Sequence, residues 1–193
     1  MPNGRPLNTD RDMEERELIR GIARNASVAS FERLYQTYRF KLGPFMHRFI
    51  KDLGLHEEAF NDVMMTVWRK ASTYNGTSKV STWIYSIAYR HCLKALHRTK
   101  DSQTETDEEL LAGPDERVGI ERREVIDKAL MQLSPDHRLV VELCYFSGYN
   151  YREIAEIANC PENTVKTRIF HARRKLKDLM ISLGETNAEG LNK

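Results

Sequence analysis

Apolar residues recur along this chain at the three-to-four spacing of helices, and no stretch alternates convincingly with the period of two that a half-buried strand requires. Ser30 stands at a plausible cap position ahead of Phe31-Glu32-Arg33-Leu34-Tyr35 and opens one helical segment. Gly43-Pro44 predicts a break, after which the pattern resumes as FMHRFIKDLG and stops at Gly54. HEEAFNDVMMTVWRKA places Phe60, Val63, Met64, Val67 and Trp68 at helical spacing. Tyr74-Asn75-Gly76-Thr77-Ser78 reads as a loop. Ser81 then caps TWIYSIAYRHCLKALHR, whose stripe is Trp83, Ile84, Ile87, Ala88 and Ala95. TKDSQTETDEELLAGPDERV holds too little apolar content to fold alone and reads as a linker. Beyond it, REVIDKALMQL is one amphipathic helix, and Ser134-Pro135-Asp136 starts another over HRLVVELCYFSG, closed by Gly148.

Two short helical patterns then flank Asn159-Cys160-Pro161. The first has the face Ile154, Ala155, Ile157, Ala158; the second repeats Val165, Ile169, Ala172, Leu176, Leu179. Pro161 suits the first turn of the second, and the pair forms a helix-turn-helix candidate. Residues 1–12 and 182–193 read as flexible termini. The expected architecture is all-α. Two small helical domains, 13–98 and 119–181, are joined by a flexible acidic linker at 99–118, and the C-terminal one carries the helix-turn-helix.

Charge sharpens this picture by its distribution. The 193-residue chain is 40% hydrophobic with a net charge of only +2, which does not by itself announce a nucleic-acid binder. Yet Glu162 to Lys177 holds six Lys or Arg against one acid, whereas Thr99 to Val118 holds seven acids against two cations. The outward face of the last helix carries Thr164, Lys166, Thr167, Arg168, Phe170, His171, Arg173 and Arg174. Such a face offers donors for phosphates, donors for base edges and one aromatic ring for a thymine methyl, which suits the major groove.

From LSPDHRLVVELCYFSGYNYREIAEIANCPENTVKTRIFHARRKLK, the C-terminal part resembles region 4 of the extracytoplasmic-function (ECF) sigma factors of bacteria. The same module also resembles the helix-turn-helix of LuxR-type response regulators. The N-terminal part decides between them. A response regulator needs alternating strands and helices, which residues 13–98 lack. Instead they resemble sigma region 2, through Phe31-Glu32-Arg33-Leu34-Tyr35, Glu57-Glu58, Val67-Trp68, Thr82-Trp83-Ile84 and Ile87-Ala88.

The resemblance implies roles. Core RNA polymerase is the implied partner, through its β′ clamp helices and β flap. The clamp-docking surface is Glu57, Glu58, Asn61, Asp62, Met65, Thr66 and Arg69. Promoter DNA is the second partner. Its −35 element is read by Lys166, Thr167, Phe170 and His171, with Thr164 beside them and Arg168, Arg173 and Arg174 on phosphates. The −10 element is held by Tyr74, in the loop where the family pockets a flipped base, together with Tyr85, Tyr89, Arg90, Lys94, His97 and Arg98. Arg90 stands where many members carry asparagine, and Lys94 where many carry aspartate. The flipped base therefore does not carry over. Many relatives have a basic residue at the His171 position, which leaves the −35 sequence open. Trp83 reads as core ahead of stacking platform. The acidic linker threads toward the RNA exit path in the family. An anti-sigma factor is the third implied partner, covering 57–69 and 162–177 together and meeting Met65 and Phe170.

No constellation supports an enzyme, a metal or a cofactor. His56-Glu57-Glu58 is not an HExxH, and no His pairs with a Cys at metal spacing. Cys92, Cys144 and Cys160 are a scattered odd set without CxxC, which points to reduced thiols, buried or half-buried, and a cytoplasmic location. No apolar run approaches the ~18–20 residues of a membrane span, and MPNGRPLNTDRDMEER lacks the apolar segment of a secretory signal. Membrane contact is expected only through a membrane-bound anti-sigma factor. Two other readings stay open: a stand-alone helix-turn-helix regulator, and an interaction protein that sequesters a partner.

Overall fold

The computed structural model of the chain describes residues 9–101 and 125–182, and these are helical without a strand among them. Residues 102–118 of the predicted linker and residues 1–8 and 183–193 of the predicted termini lie outside the described residues. Helix α1 spans Thr9–Asn25, α2 Val28–His47, α3 Leu53–Lys70 and α4 Val80–Asp101. Helix α5 covers 125–131. Helix α6 is Pro135–Val141 and runs into a wider π-type turn at Glu142–Phe146; α7 is Tyr151–Ala158 and α8 Glu162–Ser182.

Several boundaries differ from the sequence reading, each for a local reason. α1 takes in residues 9–12 of the predicted arm and has no counterpart among the predicted elements, because its buried apolar stripe is only Leu18, Ile19 and Ile22. A buried carboxylate helps hold it: Glu15 accepts the Tyr38 hydroxyl at 2.7 Å and pairs with Lys41 at 2.5 Å. The α2 cap is Ser27, which accepts from the Ser30 amide at 3.2 Å. α2 also continues through Gly43-Pro44. Pro44 removes the bond to the carbonyl of Phe40, but Phe40 is 81% exposed, so that carbonyl lies on a side where water can serve it. The break comes later: Asp52 accepts from the Leu55 amide at 2.6 Å and starts α3, leaving Gly54 inside its first turn. α4 starts at Val80, which puts Ser81 inside it. Pro161 precedes α8, its carbonyl taking the first helical bonds from Thr164 and Val165.

The two helical halves are packed against each other in this structure. One apolar core runs through both halves. It joins Ile84, Ala88 and Cys92 of α4 to Leu139, Val140, Leu143, Ile154, Ile157, Val165 and Ile169. Each isoleucine, leucine or valine among them stabilises by roughly 1.5–3 kcal/mol when buried, and α7 against α4 is the main helix contact of the seam. A second, local cluster belongs to the C-terminal half alone: Ala129, Leu130, Leu133, Val141, Ala172 and Leu176. Polar contacts stitch the seam. Tyr89 donates to Asp136 at 2.8 Å, Lys79 pairs with Glu153 at 2.6 Å, and Arg48 pairs with Asp127 and, at 3.3 Å, with Glu142.

Candidate nucleic-acid interface

The helix-turn-helix is built by local rules. Asn150 and Glu153 form a reciprocal capping box at the start of α7. Asn159 ends it in the left-handed conformation at φ 50°, which lets the Cys160 amide reach back to the Ala155 carbonyl at 3.0 Å. α8 then leaves at an angle that buries Val165, Ile169, Ala172 and Leu176. The opposite face presents Lys166, Thr167, Phe170, His171 and Arg174, all exposed. Phe170, 66% exposed, lies edge-on to His171 with ring centres 5.4 Å apart. Lys166 pairs with Glu162 at 3.0 Å on the surface, an interaction a phosphate can displace. Thr164, Arg168 and Arg173 sit half-buried at the edges of that face. Arg168 is turned inward: it pairs with Asp136 and donates to the Cys160 sulfur at 3.8 Å.

The residues predicted for docking lie along one side of α3. Glu57, Glu58, Asn61, Asp62, Met65 and Arg69 are exposed together, and Thr66 is half-buried at the margin. Several are already engaged. Arg39 holds Glu57 at 3.0 Å, Arg98 holds Glu58 at 2.8 Å, and the Tyr35 hydroxyl donates to Asn61 at 3.0 Å. Thr66 lies 3.1 Å from His91, whose pKa burial lowers.

The seven residues grouped for the −10 element are divided. Arg90, Lys94, His97 and Arg98 are exposed along one side of α4, and Arg98 closes onto Glu58 beside the docking face. Tyr85 and Tyr89 are each 5% exposed, on the buried side of the same helix. Tyr85 packs on Tyr149 at 5.2 Å, and its pKa is pushed up to about 12 by burial. Tyr89 is spent on Asp136. These two tyrosines are therefore corrected from DNA surface to seam. Tyr74 stands apart, in the loop after the 3₁₀ turn Ala71–Thr73. Its hydroxyl donates to the Ser78 carbonyl at 2.5 Å, and its half-buried ring leans on Trp83 at 5.4 Å. Trp83 is half-buried and belongs to the edge of the core.

Two arginines escape the sequence reading. Arg16 of α1 donates to the Gly76 carbonyl at 3.0 Å and the Ser78 carbonyl at 3.2 Å, fixing the loop that carries Tyr74. Arg138, 4% exposed, donates to the carbonyls of Leu130, Met131, Leu133 and, across the seam, Arg48. It satisfies the end of α5 and the end of α2 at once. An arginine inside an apolar run, as in HRLVVEL, is the one signal that could have flagged it. The three cysteines are free, Cys92 buried and the others half-buried. Among the described residues no His, Cys, Asp and Glu group could hold a metal, and no helix is long and apolar enough to cross a membrane.

An all-helical body joined to a helix-turn-helix with a cationic, aromatic outward face places the chain among helix-turn-helix proteins. Comparison with known proteins makes this specific. Residues 34–101 match the model of sigma-70 region 2 and residues 123–176 that of sigma-70 region 4. The chain is 30% identical over 171 residues to the ECF RNA polymerase sigma factor RpoE of Cereibacter sphaeroides, covering 84% of this chain and 93% of that one. It is 27% identical to the RNA polymerase sigma-H factor of Pseudomonas aeruginosa, covering 84% and 92%. Among solved structures it shares its fold with CnrH bound to the cytosolic domain of CnrY, at a TM-score of 0.68 and 17% identity, over 88% of this chain and 98% of that one. It also matches RpoE of Bartonella quintana in complex with the anti-sigma factor NepR, at 0.60 and 24%, over 79% and 98%. The chain belongs to the ECF sigma factors of the sigma-70 family.

Proposed function

We propose that this chain initiates transcription as a dissociable subunit of core RNA polymerase. It docks through the α3 face at Glu57–Arg69 on the β′ clamp helices, with its C-terminal half on the β flap. α8 reads the −35 element through Lys166, Thr167, Phe170 and His171, and Arg174 holds phosphate. The loop at Tyr74 and the α4 side bearing Arg90 and Lys94 receive the −10 strand. The observation that carries this reading is the α8 face: five outward positions of hydrogen-bonding, cationic or aromatic character on a helix fixed by a capped turn. Tyr89 and Arg168 are tied to Asp136 in the packed chain, so the reading includes an opening of the seam when promoter is engaged. A partner protein that holds the chain inactive fits the same surfaces, because 57–69 and 162–177 both present exposed faces.

The test is run-off transcription with purified core polymerase on a randomised promoter library. Transcripts that start at a shared −35/−10 pair support the reading. A chain that binds DNA but yields no transcript above core polymerase alone would replace it with a stand-alone regulator.

A further inference from the structure

The seam encloses a titratable group that none of the docking or DNA-facing surfaces includes. Glu142 stands in the π-type turn after α6 and is 3% exposed. It faces the end of α2 across a cleft of about 580 Å³ that both halves line. The Arg48 Nε lies 3.3 Å from its Oε2, yet Oε2 is buried without a hydrogen bond. The same guanidinium bonds to Asp127 of α5 and lies over the Phe146 ring at 4.4 Å. One arginine of the N-terminal half is thus shared between two carboxylates of the C-terminal half, and Asp127 holds the aligned bond. The remaining charges round the cleft are engaged elsewhere. On α2, Lys51 is drawn to Asp127 at 3.7 Å and Lys41 to Glu15 at 2.5 Å. Ahead of α4, Lys79 pairs with Glu153 of α7 at 2.6 Å. The Tyr85 hydroxyl of α4 donates to the Lys41 carbonyl at 3.1 Å, and Tyr149 packs on its ring. None of these donors serves the bare oxygen.

A buried carboxylate with a bare oxygen and a shared counter-ion is costly, and a proton relieves that cost. Burial accordingly pushes the Glu142 pKa up to about 7, with Arg48 pulling it down and Asp127 pushing it up. Arg48 and the wall that excludes water belong to the other half of the chain. When the halves part, water reaches the carboxylate. Its pKa then falls back toward the ordinary 4.5, held somewhat above it by Asp127, which stays on its own half. His47, one residue before Arg48, titrates in the same corner. Burial lowers its pKa, Lys51 and His56 add to that, and Asp127 opposes it. Relief of that burial on parting would make acid favour the parted form. The two groups therefore act with opposite sign.

We propose that the seam is a proton-operated latch: Glu142 takes up a proton as the halves close and releases it to solvent as they part, so that acid favours the packed chain and mild alkali the parted one. The packed form holds the proton more tightly. Its advantage is therefore full below about pH 4.5, declines as the pH rises to about 7, and is level beyond. What the latch does to promoter binding rests on the proposed initiation function; the latch itself does not.

The test is small-angle scattering of the full chain between pH 5.5 and 8.5 at fixed KCl, with far-UV circular dichroism confirming that helix content holds. Asp136→Ala is the working background, because loss of the Tyr89 and Arg168 contacts at the far margin of the seam weakens closure without placing a new charge beside Glu142. In this variant the ratio of parted to packed chain should rise about tenfold from pH 5.5 to 7.5 and then level off. D136A/E142Q, neutral at the latch, should stay packed across the range and lose the pH dependence. D136A/H47Q should keep it. A ratio that moves with pH in D136A/E142Q as it does in D136A overturns the latch. So does a ratio that falls as the pH rises, or a radius of gyration constant over the whole range in D136A. Neither DNA nor polymerase enters the measurement. Its failure leaves the initiation reading standing, and a failed run-off assay leaves the latch standing.

Discussion

Glu142 is a carboxylate enclosed at the seam. Burial pushes its pKa up to about 7, with Arg48 pulling it down and Asp127 pushing it up. The Arg48 Nε lies 3.3 Å from Oε2, within ion-pair reach, yet that oxygen makes no aligned hydrogen bond. Lys51 faces the same group indirectly, through Asp127 at 3.7 Å. The folded chain thus keeps a proton that the unfolded chain releases near its ordinary value of 4.5. Stability from this group is fully present at low pH, falls between about 4.5 and 7, and is level above that. The span corresponds to roughly 3 kcal/mol. Urea melts at pH 5 and pH 8 check this: Glu142→Gln should flatten the difference and raise stability at pH 8. On α8 the residues separate by role. Lys166→Ala should lose ~1–3 kcal/mol at particular −35 bases. Arg174→Ala should weaken all sequences alike and lower the salt slope by about 1. A base-by-base scan of −35 duplexes distinguishes the two. The exposure of both was legible in the sequence, because Lys166 and Arg174 fall about 100° and 180° round the helix from the buried Val165.

Helical phase explains what was legible in the elements and what was not. At about 100° per residue, Trp83, Ser86, Arg90, Lys94 and His97 fall on one side of α4, and Tyr85 and Tyr89 fall well round from it. Nearness in sequence groups these side chains; periodicity parts them. The tyrosines then look apolar enough to bury, and their hydroxyls find Asp136 and the Lys41 carbonyl at 3.1 Å. The α2 run through Pro44 was not legible, because the residue that tolerates it, Phe40, is an exposed aromatic where a buried one is the usual expectation. Nor was α1, whose hold on the body depends on Glu15 and Arg16, charged residues that read as solvent-facing. Capping was legible in kind but misplaced by a few residues. Asp52→Ala should cost about 1 kcal/mol, since it removes the bond to the Leu55 amide while leaving the packing of α3 untouched. Arg138→Met should cost more, about 3 kcal/mol or above, because it strands four carbonyls, three at the end of α5 and one at Arg48. Denaturant midpoints of the two variants, compared with the parent, order these effects.

At the scale of the whole molecule, size decides whether the packed form can act on a promoter. A compact body of the 151 described residues has a radius of gyration of about 15 Å. It is then about 40 Å across. The −35 and −10 positions are separated by about 85 Å of straight duplex, at 3.4 Å per base pair. One packed body therefore cannot place α8 on one element and Tyr74 on the other. Residues 102–124, if fully extended, would reach roughly 75–80 Å, enough for the halves to part along the helix-turn-helix seam. The seam is held by an apolar core with polar pairs at its margins, so a charge change at a margin should shift the balance without emptying the core. Lys79 is the suitable handle. It pairs with Glu153 across the seam, and it belongs to none of the DNA-reading or docking surfaces. Lys79→Glu would oppose Glu153 and favour the parted form. Asp136→Ala does the same from the far margin, releasing Tyr89 and Arg168 together. In small-angle scattering both variants should exceed the parent's radius of gyration, and both should bind an isolated −35 duplex more tightly because Arg168 is freed or the half is unmasked. Lys79→Glu combined with Glu153→Lys restores opposite charges and should return the chain to the parent radius. Variants that keep the parent radius while gaining −35 affinity would place the gain in Arg168 alone; variants that expand without any gain would show that the seam does not restrain DNA binding.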